Sequence, residues 1–212
     1  MLVYGSSLSP FVRKTLAYMS EKGLSAELKP VRPGDSDPEF REASPFGKMP
    51  GFRDGDFAIS DSTAIITYLE AKHPEPSLIP ADPKSRARTI WFEEFADTIL
   101  AACAGAVFFN RVVSPMFLGR PGDLGAADMA EKEGFPPICD YIEKIVPDSG
   151  FLVDDRLTLA DLAVASPFVN LDHCGISADA SRHPRTAAYV EKILARPSFA
   201  PMVAQEKQFF AR

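Results

Sequence analysis

Ser9 stands where a short apolar strand hands over to a helix, and a hydroxyl at such a junction can act on a sulfur. Pro10 is pre-set for the first helical position, and Val12, Leu16 and Met19 recur at helical spacing until Gly23 ends the pattern. The first turn of a helix presents unpaired N–H groups and the positive end of its dipole. A thiol seated beside Ser9 therefore loses its proton more readily than in water. The same serine also has the makings of a plain N-cap. Ser6 and Ser7 offer two further hydroxyls in the same loop.

Two other clusters bear chemistry. Asp61-Ser62 opens an apolar run through Ile65, Tyr68 and Leu69. Ser62 can offer hydroxyl and N–H groups to a carboxylate, and Asp61 can accept from an ammonium, so the pair suits an amino-acid head group. It reads equally as a helix cap. In Lys48-Met49-Pro50, proline is the one residue type that tolerates a cis bond. A cis turn there exposes the Met49 N–H and C=O to an extended peptide laid alongside as an extra strand. Lys48 supplies a cation for a second carboxylate, or stays solvated on its long stem.

The elements that must position these groups alternate at first. Strands are expected at Leu2–Tyr4 and 26–31, helices at 10–22 and 36–43, and Pro50–Arg53 and Phe57–Ile59 form a hairpin through Asp54-Gly55. A helix over 62–72 comes next. That order suits a mixed four-stranded sheet with helices packed on it. Four prolines between 74 and 83 then break the pattern. Beyond them helices are expected near 84–111, 126–146, 158–170, 184–195 and 198–206. The domain expectation is therefore 1–76, a linker at 77–83, and an all-helical bundle over 84–212.

The 212 residues suit two small domains, and 46% hydrophobic with 25% charged residues is an ordinary globular composition. A net charge of -6 with no basic run argues against nucleic acid. Cys103, Cys139 and Cys174 are odd in number and lack metal-ligand spacing, which points to a reducing, cytoplasmic setting with no metal. His73, His173 and His183 lie far apart and read as structural or exposed. The longest apolar run, Ile99 to Phe109, is well short of the roughly 20 residues that span a bilayer, so no membrane partner is expected. Dinucleotide, phosphate-loop and nucleophile-elbow motifs are missing.

A small mixed α/β domain, a proline-rich linker and a helical domain, in that order, resemble the soluble glutathione transferases, whose first domain is thioredoxin-like. Ser9-Pro10-Phe11 resembles the active-site start of the tau, omega and dehydroascorbate reductase branches. Pro45-Phe46-Gly47-Lys48-Met49-Pro50 resembles the stretch that ends in a cis proline, and Asp61-Ser62-Thr63-Ala64-Ile65 the γ-glutamyl site. Thr158-Leu159-Ala160-Asp161 matches the capping box of the helical domain, and Arg196-Pro197-Ser198-Phe199 its last-helix boundary. The resemblance covers nearly the whole chain.

It implies glutathione as co-substrate, held by Lys48, Met49, Pro50, Asp61 and Ser62, with Ser9 favouring the thiolate. It also implies a homodimer and attack on a small hydrophobic electrophile, with Leu8, Phe108, Arg111 and Met116 in the second-substrate pocket. The zeta branch uses a serine that aligns with Ser6, so Ser6 and Ser7 stay open as alternatives. With no cysteine before position 103, a mixed-disulfide mechanism is disfavoured. Gly51-Phe52 stands where relatives usually carry an aliphatic pair, which implies a local shift of the strand. Isomerase, lyase or peroxidase chemistry uses the same thiolate, and an interaction module without activity is the remaining alternative.

Overall fold

Leu2, Val3 and Tyr4 put their apolar side chains against helices, and the first strand, β1 (Leu2–Gly5), is the centre of the first domain. It runs into α1 (Pro10–Glu21), then β2 (Glu27–Pro30), α2 (Pro38–Ala43), β3 (Gly51–Asp54), β4 (Phe57–Ser60) and α3 (Ser62–Lys72). In the computed structural model, which describes residues 1–32 and 34–211, the sheet order is β2-β1-β3-β4. β1 pairs in parallel with β2 and antiparallel with β3, and β3 pairs antiparallel with β4. A parallel pair needs a crossover, and α1 provides it. The expected strands and helices of this first domain are present, with ends moved by a residue or two, whereas the helix expected to end at 111 runs on to Phe117 and the last one to Phe210.

β3 pairs without a break from Gly51, opposite Tyr4 and Ser60. The volume a side chain would take at Gly51 is filled by the rings of Phe40 and Tyr4, each 3.3–3.4 Å from where a Cβ would sit. Asp37 caps α2 by accepting from Phe40 N–H at 3.0 Å. These contacts anchor the loop that carries Lys48 and Met49.

Residues 73–82 hold no helix or strand. The second domain opens with one 35-residue helix, Pro83–Phe117. Its α-helical stretches are α4 (Pro83–Glu94), α5 (Ala101–Phe108) and α6 (Ser114–Phe117), and π-helical turns at Phe95–Leu100 and Phe109–Val113 join them. This helix is long and apolar enough to cross a bilayer by length and composition. Its inner face, including Phe92, Phe95, Ala96, Leu100, Ala104 and Val107, is packed in the core of this domain. Next come α7 (Leu124–Met129) and α8 (Phe135–Ile145), joined by a third π-helical turn, then α9 (Leu159–Asp172), α10 (Pro184–Leu194) and α11 (Ala200–Phe210).

α9 is the axis of the bundle, buried from Leu159 to Leu171. Its start is fixed by Asp161, whose carboxylate accepts from Thr158 N–H and Leu152 N–H, both at 2.9 Å. α9 also packs on α1, which joins the two domains through a continuous core. Arg196 and Ser198 add to that seam by donating to Glu21 of α1.

Candidate functional site

Ser9 occupies the N-cap position of α1 with φ -79 and ψ 125, yet its side chain makes no capping hydrogen bond. A capping serine spends its oxygen on an N–H of the first turn; this hydroxyl stays free beside those donors. Ser6 Oγ instead accepts from Leu8 N–H at 3.3 Å. Ser6 and Ser9 line one cavity and Ser7 does not, and of those two Ser9 has the hydroxyl without a partner among the described residues. Its backbone is tied on both sides, the N–H to Ser6 C=O and the C=O to Arg13 N–H, each at 2.9 Å.

A polar cavity of about 960 Å³ opens on one side of this loop, walled by Lys48, Met49, Asp61, Ser62, Thr63 and Asp97. Asp61 holds φ 82 at the N-cap of α3, and one carboxylate oxygen accepts from Thr63 N–H at 2.9 Å and Ala64 N–H at 3.1 Å. Its capping role is therefore real, and the second oxygen is left for a ligand. Ser62 is buried against the cavity, and its hydroxyl has no partner among the described residues. The Met49–Pro50 peptide is cis. Ser44 Oγ donates to Lys48 C=O at 2.7 Å, and the N–H and C=O of Met49 itself make no hydrogen bond among the described residues. Lys48 lies on the rim with an exposed side chain. Pro50 is buried behind Met49 and is not part of the wall.

The far wall of this cavity is not among the residues predicted from sequence. Lys14 is buried and its ammonium meets Glu93 at 2.6 Å and Asp97 at 2.5 Å, while the Thr63 hydroxyl donates to Glu93. Two carboxylates thus share one cation, and Glu93 Oε2 is buried without a partner among the described residues. Burial pushes the Asp97 carboxyl up to about 6, against the pull of Lys14 and with repulsion from Glu93 and Asp61 adding to the rise. The wall is suited to a cation. A buried lysine on the inner face of α1 demands counter-charges, and Glu93 and Asp97, four residues apart on an apolar helix, were the available signal.

A second cavity, about 340 Å³, lies on the other side of Met49 and is walled by Leu8, Ser9, Val31, Phe108, Phe109, Val113 and Phe117, among others. Ala104 and Gly105 leave room between the rings, and Arg32 is the one charged residue on the wall among the described residues. Leu8 and Phe108 stand in the pocket expected from the sequence, whereas Arg111 and Met116 do not line this cavity. The Arg111 guanidinium reaches away to Asp128 at 2.8 Å and Glu131 at 2.5 Å, and Met116 is exposed. The π-helical turn at Phe109–Val113 is the physical reason. In a straight α-helix the face of Gly105 and Phe109 continues to Val112 and Met116, and that of Ala104 and Phe108 to Arg111. One extra residue in the turn rotates the remainder of the helix, so Val113 and Phe117 take the inner positions.

The chain is similar to known proteins over nearly its whole length. A family model described as glutathione S-transferase, N-terminal domain, matches residues 3–77. Another, glutathione S-transferase, C-terminal domain, matches residues 120–206. A glutathione S-transferase of Hyoscyamus muticus is 32% identical over 209 residues, covering 96% of this chain and 97% of its own. Glutathione S-transferase 4 of Zea mays is 33% identical over 212 residues, covering 96% and 91%. The solved structure of a glutathione S-transferase-I bound with lactoylglutathione superposes with a TM-score of 0.84 at 25% identity, over 96% of this chain and 98% of that one.

Proposed function

The chain belongs to the glutathione S-transferase family, and from that premise we propose how its two cavities share one reaction. It is a glutathione transferase. The tripeptide lies in the polar cavity with the γ-glutamyl carboxylate on the hydroxyl and N–H of Ser62, and its ammonium between Asp61 and Asp97. The cysteinyl amide pairs with the free N–H and C=O of Met49 as an added strand. The glycyl carboxylate turns toward Lys48. Pro50 acts by turning the chain at Met49 and makes no contact of its own.

This pose carries the sulfur past Met49 to the mouth of the apolar cavity, beside Ser9. Ser9 donates a hydrogen bond to the thiolate, and the thiol proton leaves to solvent. Each pKa unit of such stabilisation is worth about 1.4 kcal/mol. The sulfur lone pair then attacks an electrophilic carbon held among Phe108, Phe109 and Phe117. An S–C bond forms as the leaving group departs with its electron pair, or as a polarised double bond takes up the electrons. The observation that carries this reading is the uncapped Ser9 hydroxyl on the wall of an apolar cavity that shares Met49 with the polar one. The second substrate is accordingly a small apolar electrophile, and we place the enzyme in the cytoplasm as a homodimer, to which exposed Phe46, Trp91 and Ile99 offer apolar surface.

Calorimetry with glutathione, then mass spectrometry of products from an activated aryl chloride, an epoxide and an enone, tests the assignment. Binding together with a thioether product is expected. Binding without any thioether would turn the reading to isomerase, lyase or peroxidase chemistry on the same thiolate.

A further inference from the structure

The two carbonyls that flank Ser9 are held by side chains of the second domain. Asn170 Nδ2 donates to Leu8 C=O at 2.8 Å, and Ser166 Oγ donates to Pro10 C=O at 2.7 Å. Asn170 Oδ1 in turn accepts from Arg13 Nη1 at 3.1 Å, which fixes the direction in which the amide faces. The same nitrogen donates to Ser166 C=O at 2.8 Å. The other edge of the guanidinium meets Glu206 in two bonds of 3.2 and 2.8 Å, and His173 Nε2 lies 2.8 Å from that carboxylate. Arg13, Ser166, Asn170 and Glu206 are all buried. The network ties α1 to α9 and α11 directly behind the loop that carries the reactive hydroxyl.

Stability alone does not account for it. A buried guanidinium–carboxylate pair often contributes no more than apolar residues of the same volume, because both charges are stripped of water. The loop itself has little to hold it. Within residues 6–9 the bonds are Ser9 N–H to Ser6 C=O and Leu8 N–H to Ser6 Oγ, and the Ser9 C=O accepts from Arg13 N–H of α1. A hydrogen bond to a developing thiolate loses its value when the donor drifts by about an ångström. Asn170 and Ser166 anchor the residue on each side of the donor, and Arg13 with Glu206 orients both.

We propose that Asn170 and Ser166, oriented by the Arg13–Glu206 pair, are positioning residues that aim the Ser9 hydroxyl at the glutathione sulfur, so that thiol activation depends on the docking of the helical domain. The inference rests on the reading of Ser9 given above. It also links the two substrates: Asn170 is part of the apolar cavity wall, so the electrophile packs against the side chain that holds the loop.

The test is a double-mutant cycle on the full chain, with Ser9→Ala, Asn170→Ala and the two combined. Turnover of Asn170→Ala is expected to fall about tenfold, the scale of one well-aligned hydrogen bond, with glutathione affinity within about twofold. The pKa of the bound thiol rises, read from the thiolate absorbance. Ser166→Ala shows the same trend, and Ser166→Thr, which keeps the hydroxyl, recovers it. The combined variant is expected to be no slower than Ser9→Ala alone, since Asn170 acts through Ser9. Losses that multiply, or a thiol pKa unmoved in Asn170→Ala, would overturn the proposal. Should Asn170→Ala fail to fold, Asn170→Asp keeps the acceptor for Arg13 while setting an oxygen against Leu8 C=O, and it is read in the same way. A wild-type thiol that titrates as in free glutathione would instead bring down the Ser9 reading and the proposal with it.

Discussion

The polar and apolar cavities meet at Met49 and are built on opposite terms. The polar one takes its groups from short loops at the edge of the sheet, from the start of α3 and from Asp97 of the long helix, and each group has a defined partner chemistry: carboxylates, one exposed lysine, a free peptide unit. The apolar one is closed on one side by the segments that follow β1 and β2, and on the other by a long helix whose π-helical turn sets which rings face inward. One surface specifies its ligand by matched hydrogen bonds and charges, the other by volume alone. Mismatched polar groups are costly and apolar fit is forgiving, so the first substrate is fixed by the fold and the second by a few ring positions.

Substitutions that separate the two cavities sharpen that contrast or erase it. The largest effect is expected at the serine beside their junction: Ser9→Ala lowers turnover about 100-fold, in the range of a lost transition-state donor, while calorimetry finds glutathione affinity unchanged. Val113→Arg comes next. A charge pushed into the apolar cavity lowers kcat/KM for neutral electrophiles by about 30-fold and leaves glutathione binding alone. A parallel loss of glutathione affinity would mean that the cavities are not independent.

Asp97→Asn has the mirror effect, raising the glutathione dissociation constant about fivefold with no change in the electrophile KM. Its pH dependence comes from the carboxyl being lifted to about 6 by burial. Because the folded value lies above that of a free aspartate, the negative charge is lost at a higher pH than usual. Glutathione affinity therefore declines as pH falls through about 6 in the wild type, and the asparagine variant is flat there.

The structure of the apolar wall can be probed by itself. A Cβ at Gly122 would lie 1.9 Å from the Asn110 carbonyl oxygen, inside the π-helical turn. Gly122→Ala is expected to cost about 2 kcal/mol in chemical denaturation and to shift electrophile KM without touching glutathione affinity. The smallest effect belongs to Lys48→Ala on the exposed rim, about a twofold loss of glutathione affinity that salt suppresses.

The same contrast explains how far the sequence can be read. Ser9-Pro10, Lys48-Met49-Pro50 and Asp61-Ser62 are local signals, each a cap or turn whose chemistry sits within three residues, and the fold brings the free groups of all three around Met49. Asp97 is out of reach because its significance depends on Lys14, 83 positions away, being buried beside it. The family resemblance implies Arg111 and Met116 as pocket residues. A π-helical turn leaves no local mark in composition, so the rotation that sends Phe117 inward and Arg111 toward Asp128 and Glu131 shows only once the packing partners are in place. Asn170 and Ser166 sit on a helix that is apolar at almost every position, and only the approach of α1 shows what their polar groups hold.

The measurement that bears most directly on the account is the ultraviolet titration of bound glutathione from pH 5 to 9, in the wild type and Ser9→Ala. A thiolate band that appears well below the free thiol's range in the wild type, and moves up in the variant, is the predicted result. A band at the same pH in both proteins would contradict the central claim that Ser9 activates the thiol.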